Sequence, residues 1–260
     1  FKALQQDPNL PLFPRAFRGQ YPPASTFKIS VALAALENGT VDQETMIDCP
    51  KSIQIGDKIF RNWSKNKEGK LNVMNAIMRS CNTWFYVVGG DAGGENIASM
   101  AHRFGFGAKT GIPLNAEEDG FIPTDVILRE KYNHAFTGGY VAHASIGQGY
   151  VLATPIQVAQ MMAGVGNGYA VPKPRLVLQV QDLNNNITDS FDPDERNALN
   201  LDLKNLWLVR QGMIDVVNAS AGTAKRARND YVTMAGKTGT GQWVQNGENL
   251  LISWFAGFAP

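Results

Sequence analysis

Histidine and cysteine are scarce in this chain of 260 residues, which holds three of the first and two of the second. His102, His134 and His143 show no metal-ligand spacing and no carboxylate partner, so they read as surface or core residues. Cys49 and Cys81 could pair, bind a metal or stay free, and two cysteines do not fix the redox compartment. An excess of one charge is also missing. The formal net charge of +1 gives no reason to expect nucleic acid or an anionic membrane surface as partner. No run reaches the roughly 18–20 apolar residues of a membrane span. The best, Ile29 to Leu36 interrupted by Ser30, reads as a helix of a soluble fold. The chain opens on Phe1, with neither a starting methionine nor a signal-peptide pattern, and is expected to be a piece of something longer.

What the chain does have is apolar mass: 44% of its residues, ample for one large domain or two subdomains. Residues 1–20 carry scattered prolines and read as a leading loop. Tyr21-Pro22-Pro23 then opens a helical pattern over Ala24–Leu36 that stops at Asn38-Gly39. Residues 42–70 are mostly polar, with a turn at Ile55-Gly56-Asp57-Lys58. Leu71–Val88 reads as a helix broken at Ser80-Cys81-Asn82 and followed by Gly89-Gly90, and Asn96–Phe104 as another short helix. Gly105 to Pro123 is loop. Thr154–Gly164 begins with an N-cap threonine and a proline at the first helical position. Alternation at Leu176, Leu178 and Val180 before Asn184-Asn185-Asn186 suggests a hairpin strand and its turn. Leu203–Val217 has helical spacing. Met234–Trp243 and Leu250–Phe258 read as strands joined by a loop containing Asn246-Gly247.

Three short segments together suggest acyl transfer without histidine, metal or cofactor. Ser25 and Lys28 of Ser25-Thr26-Phe27-Lys28 stand three apart, on one helix face near its first turn, where the dipole favours negative charge. A serine hydroxyl becomes a nucleophile once a base takes its proton, and a lysine serves only where burial or nearby cations lower its pKa. Ser80-Cys81-Asn82 interrupts a helix, as Ser and Asn do by competing for backbone hydrogen bonds. Its functional reading is a proton relay through Ser80 to the leaving group, with Asn82 holding a substrate carbonyl. Lys237-Thr238-Gly239-Thr240-Gly241 on a strand lets Lys237 face a cleft, and Gly239 admits a close backbone.

Each pattern has a duplicate. A Ser-x-x-Lys arises by chance about once in a chain this long. The second copy, Ser64-Lys65-Asn66-Lys67, lies in a polar stretch where its lysines should be solvated. Lys109-Thr110-Gly111 repeats the lysine motif between Phe104-Gly105-Phe106-Gly107 and Ile112-Pro113, hence in a loop. Glu117-Glu118-Asp119 reads as a solvated loop.

The three segments in this order match the signature of penicillin-binding proteins and class A β-lactamases. More of the chain resembles class B penicillin-binding proteins. The matching blocks are Tyr21 to Lys28, Ser80 to Tyr86, Phe104-Gly105-Phe106-Gly107 with Thr110 to Leu114, Ile146-Gly147-Gln148-Gly149 with Thr154-Pro155-Ile156-Gln157, and Gly236 to Thr240. Within that class the chain is similar to the penicillin-binding protein 2 group of elongation transpeptidases, from about residue 10 to the end.

The resemblance implies an α+β transpeptidase fold like that of the serine β-lactamases: an antiparallel sheet flanked by helices, plus a mainly helical subdomain. The helical part is expected at about residues 40–170 and the sheet part at about 1–39 and 171–260. It also implies roles. Ser25 attacks the carbonyl between the terminal D-alanines of a peptidoglycan stem peptide, and Lys28 takes its proton. Ser80 passes a proton to the departing D-alanine while Lys237 holds the local charge. Asn82, Thr238, Gly239 and Thr240 bind substrate, and the N–H groups of Ser25 and Thr240 form the oxyanion hole. β-Lactams would acylate Ser25. Implied partners are a membrane glycosyltransferase of the shape, elongation, division and sporulation family and other rod-shape proteins. The place is the periplasmic side of a membrane-anchored protein. Alternatives are a β-lactamase-like hydrolase, for which no water-activating glutamate stands out, or a non-catalytic penicillin-sensing domain.

The chain departs from the family pattern in places. Ala24 and Gly241 stand where the family more often has Gly and Ala. A metal site known in some members matches Cys49, Asn62, Glu68 and Cys81 here; Asn is a poor zinc ligand, so no metal is assigned. The family's sheet has five strands, and this chain is expected to lack the opening strands and the last strand and helix, as well as the anchor and pedestal domain. The expectation is that residues outside this sequence or another chain supply the missing strands, or that the piece is poorly stable. A cooperative thermal transition of this polypeptide alone would contradict it.

Overall fold

The computed structural model describes residues 1–245 and 247–260; Asn246, expected in the loop between the last two strands, lies outside the described residues. The leading segment is not wholly loop. It holds α1 (Lys2–Gln6) and α2 (Arg15–Arg18), the second started by Pro14, whose fixed φ suits a helix entrance.

The core is built around α3 (Lys28–Glu37), which is buried from Lys28 through Leu36. A helix apolar on all sides has no solvent face, and here it packs against helices on several sides. Ile29, Val31 and Leu33 are fully buried, each worth about 1.5–3 kcal/mol of hydrophobic stabilisation. The helix ends as expected at Asn38, with Gly39 in the left-handed region.

In the polar stretch, β1 (Ile47–Cys49) pairs antiparallel with β4 (Gly69–Leu71), and β2 (Ser52–Ile55) with β3 (Lys58–Arg61). The expected turn at Gly56-Asp57 closes the second pair, with Gly56 at φ +60°. Next come α4 (Val73–Arg79) and α5 (Asn82–Ala92), split at Ser80 as anticipated. Helix α5 continues through Gly89 and Gly90 instead of stopping there. Gly89 serves packing, since a Cβ on it would collide with the Ser145 side chain.

Helix α6 (Gly94–Arg103) starts two residues earlier than expected. Two helices were not anticipated, α7 (Asp125–Tyr132) and α8 (Gly139–Ala144). The caps of α7 were legible: Thr124 Oγ1 accepts from Ile127 N at 3.2 Å, and Asn133 ends it in the left-handed region. Helix α9 (Pro155–Asn167) carries a full capping box between Thr154 and Gln157. Then β5 (Ala170–Pro172) pairs with β8 (Glu195–Ala198), around a hairpin of β6 (Gln179–Gln181) and β7 (Ile187–Ser190). The alternation at Leu176 starts ahead of the strand, which begins at Gln179.

Helix α10 (Leu203–Asn218) leads to β9 (Ala235–Gln245) and β10 (Glu248–Phe258), an antiparallel pair with Lys237 opposite Ala256. Along β10, Ile252, Trp254, Ala256 and Phe258 are half-buried, while Leu251 and Phe255 on the other face are exposed. Helix α10 packs against both α4 and β9. The helix that ends at Ser80 and the strand that carries Lys237 therefore share one backing. The expected mixture of helices around an antiparallel sheet is present, with two strands in that sheet among the described residues.

Candidate active site

The segment carrying Ser25 is wound more tightly than the first turn of an α-helix. Ala24–Thr26 is a 3₁₀ turn, and the α-helix starts only at Lys28. Pro22 and Pro23 have no N–H to give a longer helix. Thr26 Oγ1 donates to Pro23 O at 2.6 Å and Phe27 N to Ala24 O at 2.9 Å, which closes the turn. Ala24 takes φ +50°, and its N–H donates to Gly147 O at 2.9 Å. Ser25 is left half-buried on the wall of a cleft of about 550 Å³.

Two lysines converge on one hydroxyl in that cleft. Lys237 Nζ donates to Ser80 Oγ at 2.7 Å, and Lys28 Nζ lies 3.3 Å from the same oxygen. Ser80 caps α4 in the left-handed conformation (φ 52°), and its carbonyl also accepts from Lys28 Nζ at 2.9 Å. The third acceptor of Lys28 is Asn82 Oδ1, at 2.6 Å. None of these bonds goes to Ser25. Both lysines are fully buried. Burial, then repulsion from Lys237, hold the Lys28 amine well below the usual lysine range, with the Cys81 charge opposing. Burial alone brings Lys237 down to about 7.

The period of two along β9 aims Lys237, Gly239 and Gly241 at the serine turn. A Cβ on Gly239 would stand 3.3 Å from Ser25 N and from Pro23 O. The space that glycine leaves thus admits the Ser25 turn itself. Thr238, Gly239 and Thr240 line the cleft together with Ser25, Ser80 and Asn82. All eight residues singled out in the sequence meet here, six on the wall and the two lysines behind it.

Other residues on the wall lay outside the sequence reading. Thr223 Oγ1 shares a 2.8 Å hydrogen bond with Thr238 Oγ1. Trp63 Nε1 donates to Arg79 O at 3.1 Å, while Arg79 Nη1 reaches Ala221 O at 2.7 Å and ties the α4 side to the loop after α10. Trp254 Nε1 donates to Pro22 O at 3.0 Å. Such contacts between distant segments leave no local pattern; Ile146 and Gln148, also on the wall, had a signal in their glycine-containing motif.

The four positions matched to a metal site do not fit one. Asn62 Oδ1 accepts from Asn82 N at 2.9 Å, and Glu68 is gripped by Arg79 through bonds of 2.8 and 3.1 Å. Two donors are thus engaged elsewhere, whereas a closed zinc site needs four ligands. Cys49 and Cys81 are buried free thiols. Cys49 Sγ donates to Ile47 O at 3.4 Å, and the nearness of the two thiols with their burial pushes Cys49 up while Cys81 comes down to about 6.

The duplicates stay apart from the cleft. Lys65 and Lys67 are exposed, and Lys67 pairs with Asp48 at the surface. Lys109-Thr110-Gly111 is loop. The acidic loop differs from expectation: Glu117 is buried and accepts from Thr110 N at 2.8 Å, from Thr110 Oγ1 and from Gly111 N at 3.2 Å. A carboxylate gathering three donors at one end of a turn replaces its hydration there. Of the histidines, His102 and His143 are exposed, and His134 is half-buried and stacked on Tyr140.

The penicillin binding protein transpeptidase domain model matches residues 2–260. The peptidoglycan D,D-transpeptidase MrdA of Haemophilus influenzae is 32% identical over 277 residues, covering all of this chain and 42% of the relative. The PBP2 of Helicobacter pylori, solved in complex with MreC, superposes with TM-score 0.82 at 31% identity, over 93% of this chain and 43% of that one. The PBP2 of Pseudomonas aeruginosa, in complex with WCK 5153, gives TM-score 0.83 at 34% identity, over 98% and 58%. The chain thus spans about two fifths of the curated relative's length.

Proposed function

This chain belongs to the penicillin-binding protein transpeptidase domain family, and from that premise we propose that it carries the acyl-transfer site of a peptidoglycan D,D-transpeptidase of the elongation type. The observation that carries this reading is the meeting of Lys28 and Lys237 on Ser80 beside Ser25.

With Lys28 neutral, its two N–H bonds satisfy Ser80 O and Asn82 Oδ1, and its lone pair, shared at rest with Ser80 Oγ 3.3 Å away, takes the Ser25 proton. Ser25 Oγ attacks the carbonyl carbon between the two terminal D-alanines. The N–H groups of Ser25 and Thr240 receive the oxyanion, a contribution of roughly 3–4 kcal/mol per donor in comparable sites. The C–N bond breaks as a proton passes through Ser80 to the departing D-alanine amine. Lys237 Nζ, donating to Ser80 Oγ at 2.7 Å, holds that relay in place and adds positive charge to it when protonated, and the Thr238 and Thr240 hydroxyls hold the substrate's terminal carboxylate. An amine from a neighbouring strand then attacks the ester and releases Ser25. β-Lactams present the same carbonyl and remain on Ser25. Among the described residues no Asp or Glu lines the cleft to activate water, which favours a lasting acyl-enzyme over a hydrolase.

The reading keeps a helical subdomain of about residues 40–170 that supplies Ser80 and Asn82. Ser25 and Lys237 come from the sheet-containing remainder, with the cleft between. Its setting is the extracytoplasmic side of the membrane, in a protein anchored there. The described residues include no helix long and apolar enough to cross a membrane. Proposed partners are a membrane glycosyltransferase of the shape, elongation, division and sporulation family and rod-shape proteins, supported by the relative solved with MreC.

Labelling with a fluorescent penicillin tests the reading. Ser25→Ala should abolish labelling and Ser64→Ala should leave it. The reverse pattern would overturn the assignment.

A further inference from the structure

The motif Ile146-Gly147-Gln148-Gly149 has a place in the cleft that the chemistry above does not use. Gly147 (φ +67°) lies against the nucleophile turn so closely that a Cβ would stand 2.3 Å from Ala24 O and 2.7 Å from Phe27 Cβ. Its carbonyl takes the Ala24 N–H at 2.9 Å. Gly149 is also left-handed, at φ +70°. Between them Gln148 N donates to His143 O at 2.9 Å. The backbone of Gln148 is therefore held at a fixed offset from Ser25, and its side chain lines the cleft.

The carboxamide itself is unclaimed. Gln148 Nε2 is buried and has no hydrogen-bond partner among the described residues. Leaving a buried amide unpaired costs stability unless a ligand completes it. Its position along β9 says which part of a ligand that is. Ala235, Gly236 and Lys237 are buried in succession, whereas beyond Thr238 every second residue, Thr240 and Gln242, is exposed, so a peptide beside β9 extends toward Gln242 and not toward Ala235. Thr238 opens the accessible part of the strand, Gly239 faces Ser25 N, and a Cβ on Gly241 would lie 3.2 Å from Gln148 Nε2. A peptide whose terminal carboxylate rests on Thr238 and Thr240 must lead its upstream residues past Gly241.

We propose that Gln148 is a substrate-binding residue whose carboxamide donates to a carbonyl oxygen of the donor stem peptide, upstream of the D-alanine pair. This rests on the acyl-transfer reading above. It assigns Gln148 to recognition of peptide length, apart from the attack on the carbonyl. The scale of one hydrogen bond to a bound peptide is about tenfold in rate.

The test compares two penicillins, one with a short acylamino arm and one whose arm carries a further amide residue in the place of the upstream peptide. Acylation of Ser25 is followed by intact-mass spectrometry over time in the unmodified chain, Gln148→Ala and Gln148→Glu. The second variant keeps the length of the side chain and removes its N–H donors. The unmodified chain should favour the extended probe, and both variants should lose about tenfold of that preference. A loss equal for both probes would make Gln148 a prop for the Ser25 turn and overturn the proposal, as would no loss at all. Absence of a mass shift in the unmodified chain would instead sink the acyl-transfer reading on which the proposal rests.

Discussion

Ala24 and Gly241 face each other where the serine turn meets β9: a Cβ on Gly241 would stand 3.5 Å from the Ala24 Cβ. These are the two positions where the sequence departs from the family pattern of Gly and Ala. One methyl group has in effect moved from the strand to the turn. The move keeps the volume of the junction and places a non-glycine residue at φ +50°. That conformation costs about 1–2 kcal/mol for an L-residue.

The exchange predicts a coupled pair. Gly241→Ala alone would press on Pro22 O and on Gln148 Nε2, each 3.2 Å from the new Cβ, and close the 3.5 Å gap to Ala24 Cβ, and should destabilise by about 1–2 kcal/mol. In a chain already carrying Ala24→Gly the turn can draw back from the strand, and the same change should cost less. Urea denaturation of the two single variants and the double variant gives the coupling. Simple additivity would mean that the residues do not share the space.

Acylation should depend on pH through Lys28. The neutral amine is the competent form, so the rate rises with pH through its lowered pKa. Part of that lowering comes from the charge on Lys237. Lys237→Met removes a cation that disfavours the Lys28 ammonium, so the Lys28 pKa rises and the ascending limb moves to higher pH. Stopped-flow penicillin acylation from pH 5 to 10 measures it. A limb that stays in place or moves down contradicts the electrostatic link.

Folding stability should carry the signature of a buried amine. Burial brings Lys237 down to about 7 in the folded chain, against 10.5 for a lysine in water. Between those values the unfolded chain binds the proton and the folded chain does not. Stability therefore rises with pH across that window, by on the order of a few kcal/mol from this group, and the contribution is lost as pH falls through 7. Lys237→Met should flatten that part of the curve. Denaturation midpoints at pH 6.5, 8 and 9.5 for both chains decide the matter.

Glu117 should prove structural. Glu117→Ala strips the acceptor from Thr110 and Gly111 and is expected to cost about 2–3 kcal/mol. The rate of penicillin acylation in the folded fraction should stay within about twofold, since Glu117 does not line the cleft. A large rate change with unchanged stability would reverse that assignment.

Much of the fold was readable where local chemistry dictates it. Thr154 with Gln157, Gly56 in its hairpin, and Ser80 as a helix break each act within four residues. The caps of α7 were equally local but passed unread, because Val126, Ile127 and Leu128 stand in a row and show no helical period. The tight winding at Ser25 was hidden because it depends on Gly147 and on Trp254, which anchors Pro22. Glu117 was misread because its solvation depends on what covers the loop.

The residue types and their local spacing settled the chemistry this chain could perform: a serine three residues before a lysine, a serine beside an amide, a lysine leading small hydroxyl residues. They did not settle which copies perform it, since Ser64 with Lys67 and Lys109 with Thr110 carry the same letters. Tertiary structure made that choice by burial and proximity. Ser80 lies 52 residues from Lys28 and 157 from Lys237, and only packing across those separations strips water from both amines. An amine left in water stays an ammonium at neutral pH, whatever its neighbours in sequence.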